Sequence, residues 1–263
     1  MIRAWFARNG ERLVVWVVAL LVVLASVGLF LVQPYPVDER AVDAVRETPA
    51  LTVEQTDTGY TVHPSDGEST DGLVFYPGAL VPTRAYVPLA GAIANETGLA
   101  VFLVDVPLNL AVLDVDAADS VFAGEREVDR WYVGGHSLGG AMACRYAEGA
   151  ADRLDGLVLV GAYCDVDVRD TDLDVLTVVG TRDDIVNRNA LAASRDLVPD
   201  DAEFVDVEGA NHTQVGVYSG QVDRPGTIAS TEARQRIAEA VSSWLDDSTG
   251  DLTTNATVSR SAV

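Results

Sequence analysis

Short apolar runs alternate with helical patterns along most of this chain, and no other feature narrows the fold as far. The runs at residues 73–76, 100–104, 131–133, 157–160, 175–179 and 203–207 are too short for buried helices and read as strands. Patterns at residues 85–96, 138–148, 189–197 and 231–245 read as helices between and after them. A strand, a helix and a second strand in succession imply parallel pairing, with helices covering both faces. The expected fold class is therefore α/β, built on a mostly parallel central sheet. Ahead of it, residues 51–55 and 60–62 flank the turn TDTG and predict a hairpin. The 263 residues accommodate one such domain at 51–245, with a leader before it and a polar tail, read as disordered, at 246–263.

Residues 13–32 run for twenty positions without a charge. As a helix at about 1.5 Å per residue they span about 30 Å, the thickness of a bilayer core. Arg3, Arg8 and Arg12 precede them while Asp38 and Glu39 follow, which puts residues 1–12 in the cytoplasm and the remainder outside. A cleaved signal peptide and a buried core helix are the alternatives. Signal peptides have a shorter apolar stretch, of about 7–15 residues, before a small-residue cleavage site. Here the candidate around Ala25 lies inside the apolar run. The expectation is a single-pass membrane anchor, followed at residues 33–50 by a juxtamembrane stalk with one short helix.

The 18 basic residues, all arginine, stand against 40 acidic ones, a net charge of −22. Such a field repels phosphates and argues against a nucleic-acid partner. The acids are scattered, as at Asp114, Asp116, Asp119, Asp165, Asp167 and Asp170, which fits a solvated skin better than a binding tail. In molar salt, where the Debye length is about 3 Å, that self-repulsion is screened. The pattern resembles that of haloarchaeal proteins, a resemblance of habitat and not of activity.

Two cysteines, Cys144 and Cys164, lack metal-ligand spacing. Export would permit a disulfide, but spacing alone does not set their separation, and the reading favoured is two small, half-buried residues.

Gly135-His136-Ser137-Leu138-Gly139 is a G-x-S-x-G motif set between a strand and a helix. A serine there sits on a tight turn that lifts its hydroxyl above the sheet and aims a helix N-terminus at it. Such a serine needs a base, and the chain has three histidines. His63 precedes the alternating region and His136 is part of the motif, whereas His212 follows the last strand. Asp183 follows residues 175–179, at the end of a strand where open α/β sheets place their sites. It can hold the imidazole in the required tautomer; Asp184 is the neighbouring alternative. The order Ser137, Asp183, His212 is the one expected of this architecture, and a triad of this kind needs no cofactor and no metal.

From about residue 73 to 245 the chain resembles the α/β-hydrolase superfamily, most closely its small, capless members similar to dienelactone hydrolase. The resemblance is carried by FYPGA, PLNLAV, GGHSLGG, GTRDDIV and GANHTQ. It implies Ser137 as nucleophile, His212 as base, Asp183 as acid, and an oxyanion hole formed by the N–H groups of Leu138 and Ala79. Many relatives have His-Gly where this chain has Pro77-Gly78, which leaves the second donor open between Ala79 and Leu80.

About thirteen residues separate the strand ending near Gly161 from the one starting near Val175, too few for a lid domain, so an open pocket is expected. Its candidate walls are Leu80, Tyr86, Leu108, Tyr163, Val215 and Val217, with Asn109 lining the pocket or capping a turn. The resulting expectation is a membrane-anchored serine hydrolase acting on a small ester or lactone. A catalytically silent binding module of the same fold and an acyltransferase using the same triad are the alternatives.

Overall fold

Side-chain alternation decides how the sheet is covered. In strand β3 (Asp71–Tyr76), Leu73 and Phe75 face one apolar layer while Val74 and Tyr76 face the other. Strand β4 (Ala100–Val104) sends Val101 and Leu103 to the first layer and Phe102 and Val104 to the second. Both strands are buried on both faces, as a sheet between two helical layers requires.

The computed structural model describes residues 14–23, 26, 28, 33–67, 69–125 and 128–259. Among these, eight strands form one sheet in the order β1-β2-β4-β3-β5-β6-β7-β8. The others are β1 (Leu51–Thr56), β2 (Gly59–Pro64), β5 (Arg130–His136), β6 (Gly156–Val160), β7 (Asp174–Gly180) and β8 (Glu203–Val207). Strands β3 to β8 are mutually parallel, while β2 runs antiparallel to both β1 and β4. The expected α/β class and hairpin are both present, with Thr56 opposite Gly59 at the turn.

Helices α1 (Glu39–Arg46), α2 (Val87–Thr97) and α6 (Ser230–Ser259) bury Val42, Ile93 and Val241 in the first layer. Helices α3 (Ala118–Gly124) and α4 (Leu138–Ala150) bury Val121 and Met142 in the second. Helix α3 was not expected, because seven residues are too few to display a helical period. The pattern at 189–197 divides into α5 (Arg188–Ala193) and a 3₁₀ turn at Ser194–Leu197.

Several expectations change. Residues 35–50, read as a stalk, fold as part of the compact unit Tyr35–Val263, because Val42 and Val45 give α1 an apolar face that packs on the domain. The backbone of α6 continues past Asp246, where a disordered tail was expected, with no proline to stop it before Ser259. Cys144 and Cys164 are not separate thiols but a buried disulfide, because α4 and the segment after β6 bring their Cα atoms to 5.5 Å.

Residues 14–23 are helical. Residues 13, 24, 25, 27 and 29–32 of the expected anchor lie outside the described residues, and among the described residues no helix is long and apolar enough to cross a membrane.

Candidate active site

Three parallel strands deliver three chemical groups to the same edge of the sheet. Strand β5 ends at His136, and the backbone turns at Ser137 with φ 55° and ψ −124° before α4 begins at Leu138. A non-glycine residue at positive φ is strained, and here the strain falls on the half-buried serine of the G-x-S-x-G motif. The turn is tight enough that a Cβ on Gly139 would lie 2.4 Å from the carbonyl oxygens of Tyr76 and Pro77. Loop 77–80 therefore lies against the N-terminus of α4.

Strand β7 ends at Gly180 and β8 at Val207, paired with each other, so Asp183 and His212 leave adjacent strand ends. His212 Nδ1 lies 2.8 Å from Asp183 Oδ2, and both side chains are about 1% exposed. The other carboxylate oxygen, Oδ1, accepts the N–H groups of Ile185 and Val186, each at 2.9 Å. With Oδ1 occupied by two amides, Oδ2 is the atom that accepts the hydrogen bond of the imidazole Nδ1–H. That leaves Nε2 of His212 as the free lone pair, buried and without a hydrogen-bond partner. The Ser137–His212 hydrogen bond is thus unmade in this structure, although both residues line one cleft of about 340 Å³. Such bonds often tighten only around substrate.

Asp184 does not compete for this role. Its carboxylate is half-exposed and turned to Arg224, which donates to it at 2.9 and 2.8 Å. Between β5 and β7, strand β6 ends at Val160 and Gly161 follows with φ 55°. A Cβ at that position would press within 3.1 Å of His212 Nδ1 and 3.4 Å of Asp183 Oδ2. Glycine leaves the space in which the imidazole and carboxylate meet.

The amides beside Ala79 are both engaged. Gly78 donates its N–H to the Tyr86 hydroxyl at 2.9 Å, and Leu80 donates its N–H to the Asn109 carbonyl at 2.7 Å. Among the described residues no group accepts the N–H of Ala79 between them. Leu138 opens α4, where an N–H has no intrahelical acceptor. Ala79 and Leu138 are thus the amides left free on the two sides of the turn.

The pocket walls differ from expectation. Tyr163 lines the cleft, together with Ala141, Ala162, Ile185, Val186 and Asn187, which the sequence reading missed. Tyr86, Val215 and Val217 are corrected: all three are buried in the first apolar layer, because their segments pack under the sheet edge instead of over it. Leu80, Leu108 and Asn109 share positive φ values of 60°, 55° and 54° and belong to the loops beside Ala79, not to the cleft. Asn109 acts there through its carbonyl. Leu108 is 55% exposed. A glycine directly after residues 157–160 was the available signal for Gly161, whereas nothing in the local pattern marked Ile185 or Val186.

The disulfide joins α4, the helix that follows Ser137, to this wall, since Cys164 sits between Tyr163 and Asp165. Arg145 doubles the link, donating to both oxygens of Asp165 at 3.1 and 2.6 Å. Among the described residues no cluster of histidine, cysteine and carboxylates could hold a metal ion.

Residues 72–236 match the sequence model of the alpha/beta hydrolase family. The esterase domain of a Rhodothermus marinus protein superposes with a TM-score of 0.53 at 18% identity, over 74% of this chain and 96% of that one. A predicted CIB-like hydrolase from Thermoplasma acidophilum gives 0.54 at 15% identity, over 75% and 99%. Est1E from Butyrivibrio proteoclasticus gives 0.51 at 15%, over 76% and 99%. These likenesses concern the fold. No curated protein matches the chain.

Proposed function

The chain belongs to the alpha/beta hydrolase family, and within it we propose a serine hydrolase that cleaves the ester bond of a small carboxylic ester or lactone. One observation carries the reading: a buried Asp183–His212 pair leaves Nε2 bare in the cleft that Ser137 lines. In the proposed reaction Ser137 Oγ attacks the carbonyl carbon while His212 Nε2 takes its proton. The carbonyl oxygen gains the negative charge, and the N–H groups of Ala79 and Leu138 hold it. His212 then protonates the departing alkoxide, leaving an acyl-serine. Water, deprotonated by the same nitrogen, releases the acid and restores Ser137. Asp183 orients the imidazole and stabilises its charged form throughout.

The neighbours described as esterases support the substrate class. Residues 161–173 contain neither helix nor strand, which supports a capless, dienelactone-hydrolase-like subtype and a small substrate. A fluorophosphonate probe and a panel of short esters and lactones, applied to the full chain in molar salt, test the reading. Labelling and turnover lost in Ser137→Ala are expected. A folded chain that takes up no probe would favour a silent binding module. Faster product formation with added alcohol would favour acyl transfer.

We propose further that residues 13–32 anchor the chain in the membrane, with the hydrolase domain outside. Twenty uncharged positions behind three arginines support this, as do the exposed apolar side chains of residues 14–23. Protease added to intact cells should digest the domain and spare a tag at Met1. The lysine-free, acidic composition supports work in concentrated salt.

A further inference from the structure

We propose that Tyr86 is a positioning residue: its buried hydroxyl ties the loop carrying the Ala79 donor to the residue before the nucleophile, and so sets the two sides of the oxyanion hole against each other. The proposal rests on the serine-hydrolase reading above.

Tyr86 closes a 3₁₀ turn at Thr83–Tyr86 and is fully buried, its ring 5.5 Å from that of Phe75. A phenol so deep in apolar surroundings must satisfy its hydroxyl inside the protein. Two partners are present. The Gly78 N–H, 2.9 Å away, can only donate. The phenolic proton therefore goes to the second partner, Nδ1 of His136 at 2.8 Å. This assignment gives the buried phenolic proton an acceptor, and the hydrogen-bond chain runs from the Gly78 amide through the Tyr86 hydroxyl to the His136 ring. The ring's own proton is then on Nε2, which is buried and has no hydrogen-bond partner. Burial keeps that ring neutral by holding it well below the usual imidazole range, with the nearby His212 adding to the effect.

What this chain joins gives it a function. Gly78 precedes Ala79, and His136 precedes Ser137 and Leu138. One hydroxyl thus spans the ends of β3 and β5, each of which continues into a proposed oxyanion donor. The far flank of Ala79 is held as well, by the Leu80 N–H on Asn109 and the Tyr35 N–H on the Leu80 carbonyl. Donors to an oxyanion act through their placement, within about 2.7–3.1 Å of where the charge develops. The His136 ring also lies 4.3 Å from the ring of His212, centre to centre, so the same lock bears on the base.

Tyr86→Phe keeps the ring and removes both hydrogen bonds. Active sites are counted with the fluorophosphonate probe, and kcat per counted site and KM are measured on a short p-nitrophenyl ester. The expected result is kcat per site lowered about 10- to 100-fold, with KM within about twofold, less than the loss of a whole donor. A role in packing alone would reduce the number of sites and leave each one as fast, which would overturn the proposal. If Tyr86→Phe does not fold, His136→Asn and His136→Leu take its place. Asn keeps an acceptor for the phenol and should turn over at least about ten times faster per site than Leu, and equal rates overturn the proposal. A wild-type chain with neither labelling nor turnover overturns the hydrolase reading itself, and the lock with it.

Discussion

Asp223 Oδ2 accepts the backbone N–H of His212 at 2.8 Å, while its other oxygen accepts the N–H groups of Asp184 and Arg224. One carboxylate therefore clamps the loop of the proposed base to the loop of the proposed acid, one residue from Asp183. Asp223→Ala should lower kcat about tenfold with the Ser137 site still open to probe. It should also destabilise the fold by about 1–2 kcal/mol, the cost of leaving amides unsatisfied. Urea unfolding alongside turnover per active site checks both effects.

Ser137, Asp183 and His212 should behave as a unit. Ser137→Ala and His212→Ala should each cost on the order of 10³–10⁶ in kcat, and Asp183→Asn somewhat less. The Ser137→Ala/His212→Ala double variant should be hardly slower than either single one, because a base without its nucleophile has nothing to activate. Additive losses would mean that the two residues act separately.

The Cys144–Cys164 bond closes a loop with a sequence separation of 20 and holds the Tyr163 wall to α4, the helix of the proposed nucleophile. Cys144→Ala/Cys164→Ala should lose about 3 kcal/mol of stability. It should raise KM several-fold, since the wall is freed, while the probe still labels Ser137. Thermal melts and steady-state kinetics of the double variant test this.

His136 carries a pH signature. Burial holds its folded value well below that of the unfolded chain, about 6.5. Below that pH the unfolded chain binds a proton that the native state excludes. The stability is therefore present at neutral pH and is lost as pH falls, by up to about 1.4 kcal/mol per unit. Unfolding midpoints between pH 7 and 5.5 should fall in the wild type and fall less steeply in His136→Asn.

Salt provides the last test. With 40 acidic side chains against 18 arginines, the melting temperature should drop as salt falls from molar to about 0.1 M, where self-repulsion is less screened. An unchanged melting temperature would remove the halophilic reading and leave the fold argument intact.

Periodicity is a local property, and what depended on it was legible. The strands at β3 to β8, the hairpin and the helix after Ser137 all follow from runs of a few residues whose alternation or spacing meets a buried layer. The motif GHSLG likewise specifies a turn whose geometry is set within a few positions. Because parallel strands end on the same side of a sheet, the order of Ser137, Asp183 and His212 already placed them at one edge.

Choices between chemically equal neighbours were another matter. Asp183 and Asp184 are the same residue type side by side. Only burial of one carboxylate beneath two backbone amides and an imidazole, with the other drawn out to Arg224, separates them. Cys144 and Cys164 could be paired only once a helix and a strand end had packed. Tyr86 read as a pocket wall because it is large and apolar near the motif, yet its ring lies under the sheet and its hydroxyl serves Gly78 and His136. The sequence by itself determined the alternating layers and the strand ends from which the reactive groups depart, since both depend on neighbours along the chain. Only the tertiary structure decided which polar atoms those groups meet, because a hydrogen-bond partner is a neighbour in space, from segments as far apart as residues 86 and 136.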